Sequence, residues 1–282
     1  MVIFVGFVSV ADAQINQLEP IDSLHMYIFD CGFLNRGDAN PGRYGLALDQ
    51  VETTSFADPC YLFVHPEGSL LWEAGILPDR LIESGETEVP RGPEFPVDSN
   101  RAERTLSSQL EEIGYDPSEI TYLAVSHRHA DHTANMNDYA GSTWLVQVAG
   151  REAMFSDEAQ EAAIFENYDA LENSPTIILN GDHDVFGDGS VVIKSTPGHT
   201  EGHQSLFVHL PNTGPLFLSG DLYHFRGERT LDTYPNFEVS LEQTRASRKS
   251  VEEFLESTGA ELWIQHEVNL FESLRKSPAY YD

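Results

Sequence analysis

The sequence predicts an α/β fold in which two β-sheets pack face to face with helices outside. Three observations predict it. Short apolar segments of strand length cluster in each half of the chain, with segments of helical period between them. Apolar residues make up 40% of the 282 residues, enough for a substantial core. Several apolar segments run straight into a His or an Asp, which puts polar chemistry at strand ends, on loops held by a rigid base.

The elements follow in chain order. Residues 2–10 are a short apolar run, and Ala11-Asp12-Ala13 completes an A-x-A cleavage pattern. Residues 1–13 therefore read as a signal peptide, with a periplasmic or secreted mature protein beginning at Gln14. No Lys or Arg precedes the run, and a buried N-terminal strand is the alternative reading. Residues 14–282 are expected to form one domain. Residues 24–29 read as a strand, and residues 35–44 as a loop rich in Gly, Pro and Asn. Residues 60–64 and 70–75 are two strands joined at Pro66-Glu67-Gly68, an antiparallel hairpin. Residues 78–99 are acidic, Pro-rich and without period, and read as a long loop. Leu106, Leu110 and Ile113 follow helical spacing, and Gly114 stops that helix.

Residues 122–126 form a buried strand that leads into the densest polar cluster of the chain. A helix is expected to begin within residues 132–139, a strand at 142–148 and a helix over 151–165. Residues 176–179 and 191–195 are short strands. Residues 205–210 and 216–219 are two more, joined by Pro211-Asn212-Thr213-Gly214. Residues 240–257 form an amphipathic helix with a capping-box start at Ser240 and Gln243 and a stop at Gly259. The last strand, 261–265, enters His266.

Charge and composition exclude some functions. The chain carries 16 basic and 46 acidic residues, a formal net charge of −30. That field repels phosphate backbones, so nucleic acid is not an expected partner. No stretch approaches the roughly 18 apolar residues of a membrane span. Cys31 and Cys60 are the two cysteines. In an exported protein they could form one bridge; the alternative is a pair of buried thiols.

His127-Arg128-His129-Ala130-Asp131-His132 is the cluster at the centre of the chain. Residues two apart on an extended chain face one side, so His127 and His129 can bind one metal. The chain must then turn, which lets Asp131 and His132 reach a second position. Three other residues share the setting of an apolar strand followed by a ligand: His199 in Thr196-Pro197-Gly198-His199-Thr200, Asp221 after Ser219-Gly220, and His266 after Gln265.

These residues carry a family resemblance. H-x-H-x-D-H, then T-P-G-H-T-x-G-H, then S-G-D, then a final His after a strand resemble the metallo-β-lactamase superfamily, over nearly all of the chain after the leader. The resemblance implies an αββα sandwich with two divalent metal ions. It implies that His127, His129 and His199 hold the first, that Asp131, His132 and His266 hold the second, and that Asp221 bridges them. Histidine and carboxylate donors suit Zn2+ best, with Mn2+, Fe2+ and Co2+ as the other candidates. Leu71-Trp72-Glu73-Ala74-Gly75 resembles a strand that ends in an Asp-Thr-Gly-like turn in the family, with Glu73 in place of Asp. Glu73 is either an acceptor for a ligand His or a loop carboxylate.

Within the superfamily the chain most resembles the N-acyl homoserine lactonases. Asp30-Cys31-Gly32, Pro59-Cys60-Tyr61-Leu62, Gly220-Asp221-Leu222-Tyr223-His224 and Gln265-His266-Glu267 support this. The resemblance implies a small-molecule acyl lactone as substrate, attacked by a hydroxide shared between the metals. Asp131 would shuttle a proton to the leaving oxygen. Relatives often carry a Tyr three positions after the bridging Asp. Here that position is His224, with Tyr223 one residue earlier, so either side chain could polarise the carbonyl. Phe33, Leu34, Met154, Phe155, Ile164, Phe165 and Phe225 are candidates for an acyl groove. Other hydrolases of this fold, acting on esters, β-lactams or organophosphates, are the alternative. A metal-binding module without turnover is the rival outside enzymes. The oligomeric state is open, a homodimer being one candidate.

Overall fold

The structure, a computed structural model, describes residues 23–36, 41–92 and 97–282. The leader expected at residues 1–13 lies outside them. The strands in chain order are β1 (His25–Arg36), β2 (Phe56–His65), β3 (Gly68–Trp72), β4 (Glu88–Pro90), β5 (Asp98–Arg101), β6 (Tyr122–Ala124), β7 (Thr143–Gln147), β8 (Thr176–Leu179), β9 (His183–Asp184), β10 (Val191–Ser195), β11 (Gln204–Leu210), β12 (Gly214–Leu218), β13 (Glu261–Trp263) and β14 (Tyr280–Tyr281). One sheet runs β4-β5-β1-β2-β3-β6-β7-β8, with β14 also on β1; the other runs β13-β12-β11-β10-β9.

The expected layers are present. Met26, Ile28, Tyr61, Phe63 and Trp72 of the first sheet meet Ile193, Leu206, Val208, Leu218 and Trp263 of the second in one buried cluster. The opposite face of the first sheet, with Phe29, Leu62, Leu71, Leu123 and Trp144, is covered by Leu106, Leu110, Met136 and Met154 from helical segments. Phe217 on the outer face of the second sheet packs on Val251 and Leu255 of the helix Leu241–Thr258. Ser240 caps that helix by accepting from the amide of Gln243, and Gly259 ends it in the left-handed conformation.

The hairpin β2–β3 is antiparallel, with Tyr61 opposite Trp72. β6 joins β3 and β7 in parallel, and β13 joins β12 in parallel. Parallel neighbours point the same way, so their C-terminal ends gather on one edge. β1 carries a register shift between Asp30 and Phe33. Cys31 lies within it and bonds Cys60 of the neighbouring strand as a disulfide.

Two expected elements differ. Residues 151–165 are three short helical pieces, Val148–Met154, Asp157–Gln160 and Ala163–Asn167. Ser156 breaks the run because its hydroxyl caps a new helix, accepting from the amide of Ala159. The acidic loop at 78–99 contains the helix Asp79–Glu83 and the strand β4, and leads into β5. β4 is the edge strand and β5 lies between it and β1; both are short and held by backbone pairing, and they show no apolar alternation.

Candidate metal centre

The site lies where β6 of the first sheet and β10, β12 and β13 of the second end together. Each ligand follows its strand by a few residues. The structure brings the seven sequence-predicted ligands into two adjoining groups: His127, His129, His199 and Asp221, and Asp131, His132 and His266. Within each group, one donor atom per residue lies within 4.8 Å of the others.

Asp221 faces both groups with separate oxygens. Its Oδ2 lies 3.6 Å from His127 Nε2 and 3.3 Å from His199 Nε2. Its Oδ1 lies 3.3 Å from His132 Nε2 and 2.9 Å from His266 Nε2. His129 enters through Nδ1, 2.7 Å from His127 Nε2 and 3.1 Å from His199 Nε2. Donors around a four-coordinate metal with bonds of about 2.0–2.1 Å are separated by about 3.4 Å. His132 Nε2, His266 Nε2 and Asp221 Oδ1 are buried without a hydrogen-bond partner. Buried polar atoms without partners are costly, and aiming several at one point suits a cation. The residues present therefore fit divalent metal ions.

The far ring nitrogens of His127, His132, His199 and His266 are occupied. His132 Nδ1 lies 3.1 Å from Glu73 Oε2, and His199 Nδ1 lies 3.1 Å from Glu238 Oε1. His266 Nδ1 donates to the carbonyl of Ala57 at 2.8 Å, and His127 Nδ1 lies 3.0 Å from Ser126 Oγ. Such contacts fix the tautomer and turn the other nitrogen to the metal. Glu73 thus takes the acceptor role rather than that of a plain loop carboxylate. It also accepts from the Ser126 amide and from Gln265 Nε2.

Electrostatics keep the carboxylates ionised. Burial pushes Asp131 up, but His132 and His266 outweigh it and bring it down to about 2. Burial likewise opposes Asp221, and His266, His224, His127 and His132 hold it well below the usual carboxylate range. Burial and His132 keep His127 well below the ordinary imidazole value. At His132, burial is outweighed by Glu73 and Asp221, which raise it.

His203 supports the ligand loop. Its Nε2 accepts from the Asp221 amide at 2.9 Å, and its Nδ1 donates to the Thr196 carbonyl at 3.0 Å. Gly220, at φ +52°, sits so close to His203 and Ser126 that a Cβ would lie 2.7 Å from each.

The cavity over the site has a volume of about 580 Å3. Of the residues expected to line it, Leu34 and Ile164 do so, with Arg43, Arg91, Tyr44, Phe56 and Phe237 completing the wall. Phe33, Met154, Phe155 and Phe165 pack in the core clusters instead, and Phe225 lines a neighbouring cavity.

His224 and Tyr223 part company. His224 enters the cavity with Nε2 3.2 Å from Asp221 Oδ2. Tyr223 is a correction: its hydroxyl donates to Glu252 at 3.0 Å and its side chain lines a separate cavity of about 300 Å3. The backbone at Tyr223 is extended (φ −141°, ψ 135°), so adjacent side chains project to opposite sides. Only one of the two can face the metals.

Glu238, Glu228 and Arg248 are the site's supports that the sequence reading missed. Glu238 lies in an irregular loop and nothing in its neighbourhood marks it. Glu228 accepts from the Phe225 amide at the start of the helix Arg226–Leu231, but Phe225 has no side-chain acceptor to complete a capping box, so no sequence signature marked it.

A family model described as the metallo-beta-lactamase superfamily matches residues 56–258. An N-acyl homoserine lactonase AttM from Rhizobium johnstonii is 30% identical over 236 residues, covering 79% of this chain and 86% of that protein. A solved N-acyl homoserine lactone hydrolase, with its product N-hexanoyl-L-homoserine at the catalytic metal centre, superposes with a TM-score of 0.75 at 21% identity. It covers 92% of this chain and 100% of its own. AidC, a dizinc quorum-quenching lactonase in complex with the same product, superposes with a TM-score of 0.62 at 16% identity, covering 94% and 96%.

Proposed function

Because the chain belongs to the metallo-β-lactamase superfamily, we propose that it is a dinuclear metal hydrolase that opens the lactone ring of N-acyl homoserine lactones. One observation carries the reading: Asp221 presents Oδ2 to one histidine group and Oδ1 to the other. That is the arrangement of a carboxylate shared between two cations. Zn2+ suits the imidazole and carboxylate donors best. When bound, the cations supply Lewis-acid activation of a water and of the lactone carbonyl.

The protein's own groups do the rest. Leu34, Tyr44, Phe56, Ile164 and Phe237 form an apolar wall for an acyl chain, and Arg43 and Arg91 add polar contacts. His224 Nε2 faces the reacting centre and donates to developing negative charge on the substrate oxygen. Asp131, held ionised, accepts a proton and passes it to the leaving alkoxide. The A-x-A pattern at residues 11–13 and the Cys31–Cys60 disulfide support an exported enzyme.

The test is a panel of acyl homoserine lactones, a chromogenic cephalosporin and a phosphotriester, run with metal analysis. We expect lactone turnover and two metals per chain. Turnover of the cephalosporin alone would sink the lactonase reading. Intact mass of the exported protein checks removal of residues 1–13.

A further inference from the structure

A buried chain of polar contacts leaves the metal centre. It runs from Asp221 to His224 to Glu228 to Arg248. His224 Nε2 points at Asp221 Oδ2, and its Nδ1 lies 3.4 Å from Glu228 Oε2. Nδ1 is buried and has no hydrogen-bond partner among the described residues, and the Glu228 carboxylate at 3.4 Å is the charged acceptor beside it. The same Oε2 accepts from the amides of His224 at 2.6 Å and Phe225 at 2.8 Å. Glu228 is therefore hydrogen-bonded to the backbone of residue 224 and lies against its ring.

Glu228 is itself fixed. It is 0% exposed, and its Oε1 accepts from Arg248 Nη2 at 2.8 Å. Arg248 donates further to the carbonyls of Leu222 at 2.8 Å and Thr233 at 2.6 Å. Tyr223 and Tyr234 stack on its guanidinium at 4.3 and 4.4 Å. On its other sides the His224 ring meets Tyr44 at 4.9 Å, His199 at 5.1 Å and Phe237 at 5.8 Å. Nothing in this set is a loop carboxylate meeting solvent. A buried ion pair of this kind is poor at adding stability, but it is well suited to imposing one orientation on what it touches.

We infer that Glu228, braced by Arg248, is a positioning residue that acts through His224, fixing its ring with Nδ1–H toward Glu228 and Nε2–H toward the substrate, a carboxylate oxygen lying against each nitrogen. Removing the carboxylate leaves the pocket filled but frees the imidazole to turn. A ring that must meet a substrate oxygen within a hydrogen bond loses rate when it is free to turn. The kinetic part rests on the lactonase reading above; the spectroscopic part does not.

The experiment has two arms on the metal-loaded protein. In the first, the imidazole N–H resonances downfield of the amides are recorded by NMR. One is expected to be assigned to His224 Nδ1–H by its loss in His224→Ala. A His224 ring with Nδ1 unprotonated in the parent protein overturns the inference, whether or not any lactone is turned over. In the second, kcat and KM are measured for Glu228→Gln, His224→Ala and the double variant. Glu228→Gln is expected to keep two metals and its KM while kcat falls about 10–100-fold. In the His224→Ala background the same change is expected to cost less than twofold, because its target is gone. Glu228→Asp keeps the carboxylate and should recover part of kcat. An unchanged kcat in Glu228→Gln, or an equal loss in both backgrounds, overturns the inference. If Glu228→Gln fails to fold, Glu228→Asp and the parent spectrum decide.

Discussion

Glu73 Oε2 lies 3.1 Å from Nδ1 of His132, and both side chains are about 1% exposed. Glu73 holds that contact from a left-handed backbone (φ 69°), one of two non-glycine residues at positive φ among those described. Strain of this kind costs on the order of 1–3 kcal/mol and persists where the surroundings demand it. Glu73→Gln should lower affinity for the metal at His132 by about 10–100-fold while the fold persists. Chelator competition on the parent and the variant measures it, and equal affinities would remove Glu73 from the site's support.

The orphaned atoms at the centre bear on stability. His132 Nε2, His266 Nε2 and Asp221 Oδ1 lack hydrogen-bond partners. A chelator should therefore lower the thermal midpoint, and added Zn2+ should restore it in a concentration-dependent way. Asp221→Ala should erase most of that response, because it removes a donor from both groups. A midpoint indifferent to chelator would contradict the assignment of these residues as ligands.

His203 gives a pH dependence with a definite sign. Burial, with His199 adding, lowers its pKa from 6.5 to about 3. The folded value lies below the unfolded one, so protons favour the unfolded chain. The contribution of neutral His203 is complete above about pH 6.5 and declines as pH falls toward 3. Its Nε2 must stay unprotonated to accept from the Asp221 amide. Between pH 6.5 and 4, unfolding free energy should fall more steeply in the parent than in His203→Asn. The excess slope should approach one proton, about 1.4 kcal/mol per pH unit. Parallel slopes would show that His203 is not the titrating group.

The Cys31–Cys60 bridge spans a sequence separation of 29. Constraining a loop of that length in the unfolded chain contributes about 3–4 kcal/mol in the chain-entropy model. The double variant Cys31→Ala/Cys60→Ala should lose that much unfolding free energy in denaturant titration, and reductant should lower the parent but not the variant. A free-thiol count of two on denatured, unreduced protein would exclude the bridge.

Much of this protein was legible in the sequence because its information is local. Apolar runs of strand length identified most strands, Ser240 and Gly259 bounded the long helix, and a ligand after each of four strands marked the centre. Each signal sits within a few residues of what it specifies. The family pattern then implied which histidines belong with which metal position.

Other features depended on contacts between distant segments. β4 and β5 escaped because short strands at the margin of a sheet are held by backbone pairing, which leaves no trace in side-chain pattern. Tyr223 and His224 could not be ranked until the backbone direction at Tyr223 was known. Glu73 and His132 are close in space because β3 and β6 are parallel neighbours, and Arg248 reaches Glu228 from a helix 20 residues further along the chain. The sequence by itself determined the candidate ligands and the layers, since strand ends and periodicity are written in consecutive residues. Only the tertiary structure decided which groups orient those ligands, because hydrogen bonds between buried side chains depend on how the sheets and helices pack together.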